Sequence, residues 1–427
     1  MLDRITPPEF KSIDHVEILH AKEDRLDNEI PVYSIDSGSQ ELVKIEFIFK
    51  AGMYFQASPL LAVSTSSMME NGTVNYTAEQ ISEHLDFYGS HYETGVGQDY
   101  SSIALYSLNK HLANSIYFAE DIIKNANFPQ HEFETFLSNK KQKHLVNSKK
   151  VAVLARRKFS ELIFGEKHPY GIVAQLEDYD KIKREHLLEF YAKHYNSANC
   201  TIVVSGKLPA DVLKLLNDHF GKENWGSSEI INDVLVPYST TSEKKHFVFK
   251  EDAIQSAIRI GRPMFSKNHP DYFKFQVLNT VFGGYFGSRL MANIREDKGY
   301  TYGIGSGLSP LVHGGYFGIS TEVGVDVTTK CLEEIYKELK LMREELIPEE
   351  ELQLVKNYIT GIFLRSVDGP FSLADKFKGI WEFGLGYDYF DNYLKAVKTV
   401  TAQELKDLAN KYLKEEDMIE LVVGKKS

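Results

Sequence analysis

HLLEFYAKHYNSANCTIVVSGKL (186–208) and TAQELKDLANKYLKEEDMIELVVGKK (401–426) run through the same features in the same order. Each begins as a helical run, passes a tyrosine (Tyr195, Tyr412), becomes a short apolar strand and closes on Gly-Lys, at Gly206-Lys207 and Gly424-Lys425. A continuous apolar run bounded by turn signals fits a strand buried on both faces. Two such copies, one mid-chain and one at the C-terminus, imply a duplicated α+β unit and exclude a short-period solenoid.

The elements upstream of each copy also recur. In the first half, NEIPVYSIDS (28–37) and ELVKIEFIFKAGM (41–53) read as strands joined by a turn at Gly38, Ser39 and Gln40. LLAVSTSSMMENG (60–72) reads as a helix with an apolar edge of Leu61, Val63, Met68 and Met69. TAEQISEHLDFYG (77–89) is a helix capped at Thr77 and closed at Gly89. A hairpin (90–108) and a strongly periodic helix (111–128) follow, then one long basic helix over 133–165, whose run Lys140 to Lys150 reads as a solvated face. The second half repeats the order with SAIRIGRPM (256–264) as the early strand, YFGISTEVGV (316–325) in the hairpin and CLEEIYKELKLMREEL (331–346) as the periodic helix. GSSEIINDVLVPYSTTSEKK is polar and poor in helix signal. The expected organisation is an N-terminal arm at 1–22 with a Pro7-Pro8 break, a first domain at 23–225, a linker at 226–245 and a second domain at 246–427.

Composition removes several function classes. A chain of 427 residues suggests two or three domains at about 150 residues each. With 60 acidic against 49 basic residues the net charge is -11, which argues against nucleic acid as a partner. Cys200 and Cys331 lie far apart without a CxxC pattern, so they read as buried small hydrophobes rather than a disulfide or a zinc site. No stretch approaches the ~20 apolar residues of a membrane span, and MLDRITPPEF has no secretory pattern. The expectation is a cytoplasmic protein with no membrane partner, periplasmic only if an export signal is missing from this sequence.

The stretch richest in chemistry is GGYFGSRLMANIREDKGYTYGIGSG (283–307). Ser288 suits an N-cap, Leu290, Met291 and Ile294 an apolar helical face, and Lys298-Gly299 a helix stop. Alternation in the strand after it sends Tyr300, Tyr302 and Ile304 one way and Thr301, Gly303 and Gly305 the other. Glycines at alternate strand positions invite a second backbone. Arg295 and Tyr302, a fixed cation and a phenol donor, suit a carbonyl oxygen or oxyanion on a bound peptide. The competing reading has Arg295 holding a surface carboxylate and Tyr302 filling a core. The glycines at 283, 284 and 287 lack the Lys-Ser/Thr of a phosphate loop, and no GxSxG or HExxH is present. His84, His91 and Glu93 straddle a helix end and a hairpin, poor geometry for a metal.

With the duplicated unit, the linker and SRLMANIREDKGYTYG (288–303) in view, the chain resembles the insulinase-type M16 zinc peptidases. The resemblance points to the short bacterial subfamily related to mitochondrial processing peptidase. It covers nearly everything after the arm. It implies an α+β fold of two homologous domains, each a mostly antiparallel sheet with helices packed on it, assembled as a clamshell. It also implies that Arg295 and, seven residues later, Tyr302 are catalytic, with Gly303 and Gly305 binding substrate. Active members carry His-x-x-Glu-His in the first helix. Here Met68 and Gly72-Thr73 match its surroundings, while the histidine positions fall on Val63 and Ser67, the glutamate on Ser66 and the distal ligand near Gln142 or Lys143. Zinc needs three ligands and a carboxylate base, which these side chains lack. The expectation is a chain without metal or cofactor of its own, the zinc-less subunit of a heterodimeric metallopeptidase, inactive alone. Its partners are a zinc-bearing M16 subunit and an unfolded peptide laid on a sheet edge. The alternative is a non-catalytic scaffold or peptide-binding protein, like the core subunits of respiratory complexes that share the fold. Homodimerisation of the isolated chain is compatible with both.

Overall fold

The computed structural model describes residues 16–425. Most of the expected arm, including Pro7-Pro8, lies outside the described residues. The described residues are α+β, with two sheets. Strands β1 (Lys22–Arg25), β2 (Pro31–Asp36), β3 (Leu42–Phe49), β4 (His91–Val96), β5 (Ser101–Leu108) and β6 (Cys200–Gly206) form the first, ordered β1-β2-β6-β3-β5-β4. Strands β7 (Lys245–Phe249), β8 (Gln255–Pro263), β9 (Thr301–Leu311), β10 (Gly314–Gly324) and β11 (Ile419–Gly424) form the second, ordered β7-β11-β8-β10-β9. Leaving β1 aside, both sheets place their strands in the order first, fifth, second, fourth, third. The duplication read in the sequence is thus repeated in topology.

The repeated apolar strands explain that order. Every residue of β6 and of β11 is buried, so each must be covered on both faces and belongs inside its sheet. Accordingly β6 inserts between β2 and β3, parallel to one and antiparallel to the other, and β11 inserts between β7 and β8 in the same way. The turn at Gly38–Gln40 therefore joins two strands that are not neighbours. Counting back from the closing glycines, Gly206 and Gly424, makes Val203 and Leu421 equivalent. Val203 stands opposite Glu46, and Leu421 opposite Arg259.

The first half holds helices α1 (Leu61–Met68), α2 (Ala78–Tyr88), α3 (Leu112–Asn125), α4 (Gln130–Asn147), α5 (Val151–Phe164), α6 (Asp178–Lys181), α7 (Arg184–His194) and α8 (Val212–Leu216). The second holds α9 (Tyr272–Asn279), α10 (Thr328–Glu344), α11 (Glu349–Arg365), α12 (Pro370–Trp381), α13 (Asp388–Thr399) and α14 (Ala402–Tyr412). The caps of α2 are as the sequence implies. Thr77 Oγ1 accepts the Gln80 N–H at 3.3 Å, Gln80 Oε1 accepts the Thr77 N–H at 3.0 Å, and Gly89 closes the helix at φ 59°.

The long basic helix is in fact two. Lys150 is extended, at φ -85° and ψ 122°, so α5 leaves in a new direction. It crosses to the other sheet, where Ala155, Phe159 and Ile163 pack on Ala257, Ile419, Leu421 and Val423. The approach is close. A Cβ at Gly261 would stand 2.0 Å from the Phe317 carbonyl oxygen and 3.0 Å from Phe159 Cζ. In return α12 lays Leu373, Ala374 and Phe377 on Ile35, Ile48 and Val203 of the first sheet. Each sheet is thus covered on one face by a helix from the other half of the chain.

The two hairpin tips also meet. Asp99 Oδ2 accepts the Val312 N–H at 3.2 Å, and Tyr238, beyond the linker's midpoint, donates to the His313 carbonyl at 3.0 Å. Beside them His168 is buried, with Nε2 3.0 Å from the Val236 carbonyl and Nδ1 accepting the Tyr170 N–H at 3.1 Å. A neutral ring satisfies both contacts, and protonation would set two donors against each other. Burial, reinforced by His313, holds its pKa below the ordinary histidine value, against the opposing effect of the Val236 bond. The unfolded chain then takes up this proton more readily, and stability falls as pH drops below about 6.5. Buried carboxyls such as Asp99 and Glu382, raised chiefly by burial, act with the opposite sign. The histidine contribution is isolated by comparison: the fall in unfolding temperature between about pH 7.5 and 5.5 is smaller in His168→Gln than in the parent.

Candidate functional site

Arg295 and Tyr302 come together at the outer edge of the second sheet. Arg295 lies on a π-helical segment, Met291–Asp297, anchored by the buried Met291 and Ile294, and Tyr302 is the second residue of β9. The segment ends as its glycine implies, with Gly299 at φ 65°. The strand does not simply alternate. Thr301 lies opposite Val323 and Ile304 opposite Thr321, so three steps of β9 span two of β10. Tyr302 and Gly303 form a bulge against Glu322, a device that re-aims a side chain. The Thr301 hydroxyl oxygen accepts the Gly303 N–H at 3.1 Å, and the Thr321 hydroxyl donates to the Gly303 carbonyl at 3.0 Å, which pins the bulge.

The bulge turns Tyr302 outward, leaving it 95% exposed, while Ile304 enters the core. The Arg295 guanidinium lies 4.5 Å from the Phe286 ring centroid and 5.7 Å from that of Tyr302. Among the described residues no carboxylate pairs with it. The reading of Arg295 on a surface carboxylate and Tyr302 in a core is thereby excluded. Two stacked rings hold the cation at modest cost, each contact contributing about 0.5–1 kcal/mol at an exposed site. Its planar donors stay free for an acceptor. Phe286, 62% exposed, is a member of this group that sequence reasoning passed over. Its only sequence signal is an apolar residue between two glycines.

Gly303 and Gly305 sit apart from that stack. A side chain at Gly303 or Gly307 would meet open space, whereas one at Gly305 would stand 3.3 Å from the Gly283 carbonyl oxygen. Asn279 Nδ2 donates to the Ser306 carbonyl at 3.3 Å, and the Ser306 hydroxyl to Asn279 Oδ1 at 2.7 Å. The outer edge of β9 is therefore closed at Gly305–Ser306. The surface left open beside it is the face carrying the glycines, bordered by Arg156, Phe159 and Ser160 of α5.

At the expected zinc position α1 places Ser66 fully buried, with Val63 and Ser67 half-buried. None offers an imidazole or carboxylate, and Gln142 and Lys143 are exposed on α4. The residues do not fit zinc. No group of three His, Cys, Asp or Glu side chains is placed to hold a metal ion among the described residues. His84 stacks on Phe118 at 4.1 Å, away from the His91–Glu93 pair at 3.6 Å. Nearby, burial raises the Glu70 pKa, with His91 opposing. No helix among the described residues is long and apolar enough to cross a membrane.

Residues 181–359 match the family model described as Peptidase M16 inactive domain. Over those residues the chain is similar to M16-type proteins. An "Uncharacterized zinc protease" of Rickettsia felis is 26% identical, over 91% of this chain and 93% of its own. A "Non-peptidase homolog YmxG" of Helicobacter pylori is 23% identical, over 97% and 95%. The crystal structure of a peptidase M16 inactive domain from Pseudomonas fluorescens superposes with a TM-score of 0.86 at 18% identity, covering 95% of this chain and 98% of that one. A protease from Helicobacter pylori gives 0.84 at 15% identity, covering 94% and 99%. At such identities these solved structures speak for the fold alone.

Proposed function

We propose that this chain is the zinc-less half of a two-chain M16 peptidase, binding unfolded peptide and presenting Arg295 and Tyr302 to a reaction whose metal centre belongs to a second M16 chain. One observation carries this reading. A bulge holds a tyrosine almost wholly in solvent beside an arginine stacked on aromatic rings with no anionic partner among the described residues, an arrangement that does little for the stability of this chain. Arg295 is suited to a substrate carbonyl. Tyr302 is suited to donate to the oxygen that gains charge at the tetrahedral stage, which helps only if the donor is fixed beforehand. The peptide lies extended over the glycine face, since Asn279 and Gly283 close part of the strand edge.

The test is complementation. A second M16 chain carrying His-x-x-Glu-His, such as one encoded beside this chain, is assayed on a quenched-fluorescence peptide alone, with this chain, and against this chain alone. The expected result is activity only in the mixture. Full activity of either chain alone sinks the proposal. The scaffold reading is favoured by the relative named a non-peptidase homolog, and it predicts peptide binding or association without turnover in any mixture.

A further inference from the structure

The duplication supplies an internal control for charge. In the first sheet the position of Glu46 is neutralised from within, because Lys44 Nζ lies 3.0 Å and Lys378 Nζ of α12 2.7 Å from its carboxylate. In the second sheet the equivalent position is Arg259, and the helix laid over that sheet is α5, which brings Arg156. Neither arginine has a carboxylate partner among the described residues. Arg259 is half-buried, and burial lowers its pKa, with Arg156 acting the same way and Tyr316 and Glu322 opposing. A half-buried guanidinium beside a second one, in a chain of net charge -11, is an uncompensated cost unless an anion completes the site.

The two arginines line one cavity. It measures about 340 Å³ and is lined by Arg156, Phe159 and Ser160 on one wall and by Arg259, Gly305, Gly307 and Ser320 on the floor. Gly305, Ser320 and Arg259 stand side by side across β9, β10 and β8. A second cavity of about 380 Å³ shares Arg259 and Ser320 and runs on to Tyr302 and Gly303, with Glu322 at that end. The groove thus leads from the Arg295–Tyr302 pair toward the arginines under α5.

We infer that this groove is a carboxylate-recognising subsite for an extended peptide, with Arg259 and Arg156 pairing an acidic side chain or a C-terminal carboxylate. The assignment rests on the reading that the open face of the second sheet takes peptide. Bidentate pairing of carboxylate by guanidinium is directional as well as strong, and the glycine floor lets the peptide backbone come close. Preference for an acidic ligand runs against the overall field of this chain, so nonspecific attraction does not produce it.

The experiment uses the whole chain and fluorescein-labelled decapeptides of Val, Thr, Ser and Ala, with a central Glu or Gln and with a free or amidated C-terminus. Binding is read by fluorescence anisotropy. A peptide bearing the recognised carboxylate binds about ten-fold or more tightly than its neutral counterpart, the scale of a charge-assisted pair. Arg259→Gln and Arg156→Gln each remove most of that preference. Arg259→Lys keeps part of it. Preference that follows the central Glu assigns a side chain, and preference that follows the free terminus assigns a chain end. Equal binding of all four peptides overturns the carboxylate subsite while leaving peptide binding intact. Binding of none overturns the peptide reading and the subsite with it.

Discussion

Arg295→Ala and Tyr302→Phe each lower kcat/KM of the reconstituted peptidase by about 10²–10³-fold, the loss expected when one fixed donor, worth about 2.7–4 kcal/mol of barrier, is removed. The two effects differ in kind. Tyr302→Phe removes one hydroxyl from a side chain that is 95% exposed, so folding and association are unchanged and the loss appears in kcat. Arg295→Ala also removes the cation stacked on Phe286 and Tyr302, so KM rises with the fall in kcat. Arg295→Lys does not rescue, because a point ammonium neither stacks as a plane nor donates as a fork. Phe286→Ala gives an intermediate loss by freeing Arg295 to move. Steady-state kinetics on one peptide at fixed partner concentration separate these outcomes. If all four variants retain parental rates, the pair has no part in the reaction.

Phe159→Ala destabilises the chain by about 3–5 kcal/mol, the range for emptying a buried aromatic site. Phe159 is 4% exposed and holds α5 on the second sheet, against Gly261 and near Tyr316. Because α5 belongs to one half of the chain and its bed to the other, the loss is also one of coupling. The reciprocal contact, Phe377 of α12 on the first sheet, is 6% exposed, with its ring centroid 4.7 Å from that of Tyr33. Urea unfolding followed by far-ultraviolet circular dichroism then shows a lower midpoint for Phe159→Ala and for Phe377→Ala, with the transition broadening toward two steps. A parental midpoint in both variants contradicts the exchange of helices.

Much of this fold is legible in the sequence because its signals are local. The capping box of Thr77 and Gln80, the stop at Gly89 and the fully apolar strands ending at Gly206 and Gly424 each announce themselves within a few residues. Helix exchange is not local. Between 133 and 165 the helical pattern is nearly unbroken, and only where α5 packs reveals that the helix stops at Asn147, and that the chain turns at Lys150 and crosses over. The order of β2, β6 and β3 escapes for the same reason, since the strand between two near neighbours arrives from far down the chain. At the candidate site, type and spacing single out Arg295 and Tyr302 but give them no role, which only the resemblance implies. Alternation predicts the wrong facing for Tyr302, because a bulge is set by pairing with β10. Arg156 and Arg259 carry no sequence signal at all, lying on α5 and β8 of opposite halves.

The central claim is that this chain contributes donors and no metal. Zinc measured by atomic emission on the purified chain, and on its active assembly, tests it most directly. The account predicts no zinc on the isolated chain and zinc in the assembly in proportion to the His-x-x-Glu-His partner alone. Stoichiometric zinc on this chain by itself, lost when Ser66 or Ser67 is replaced by alanine, would contradict it.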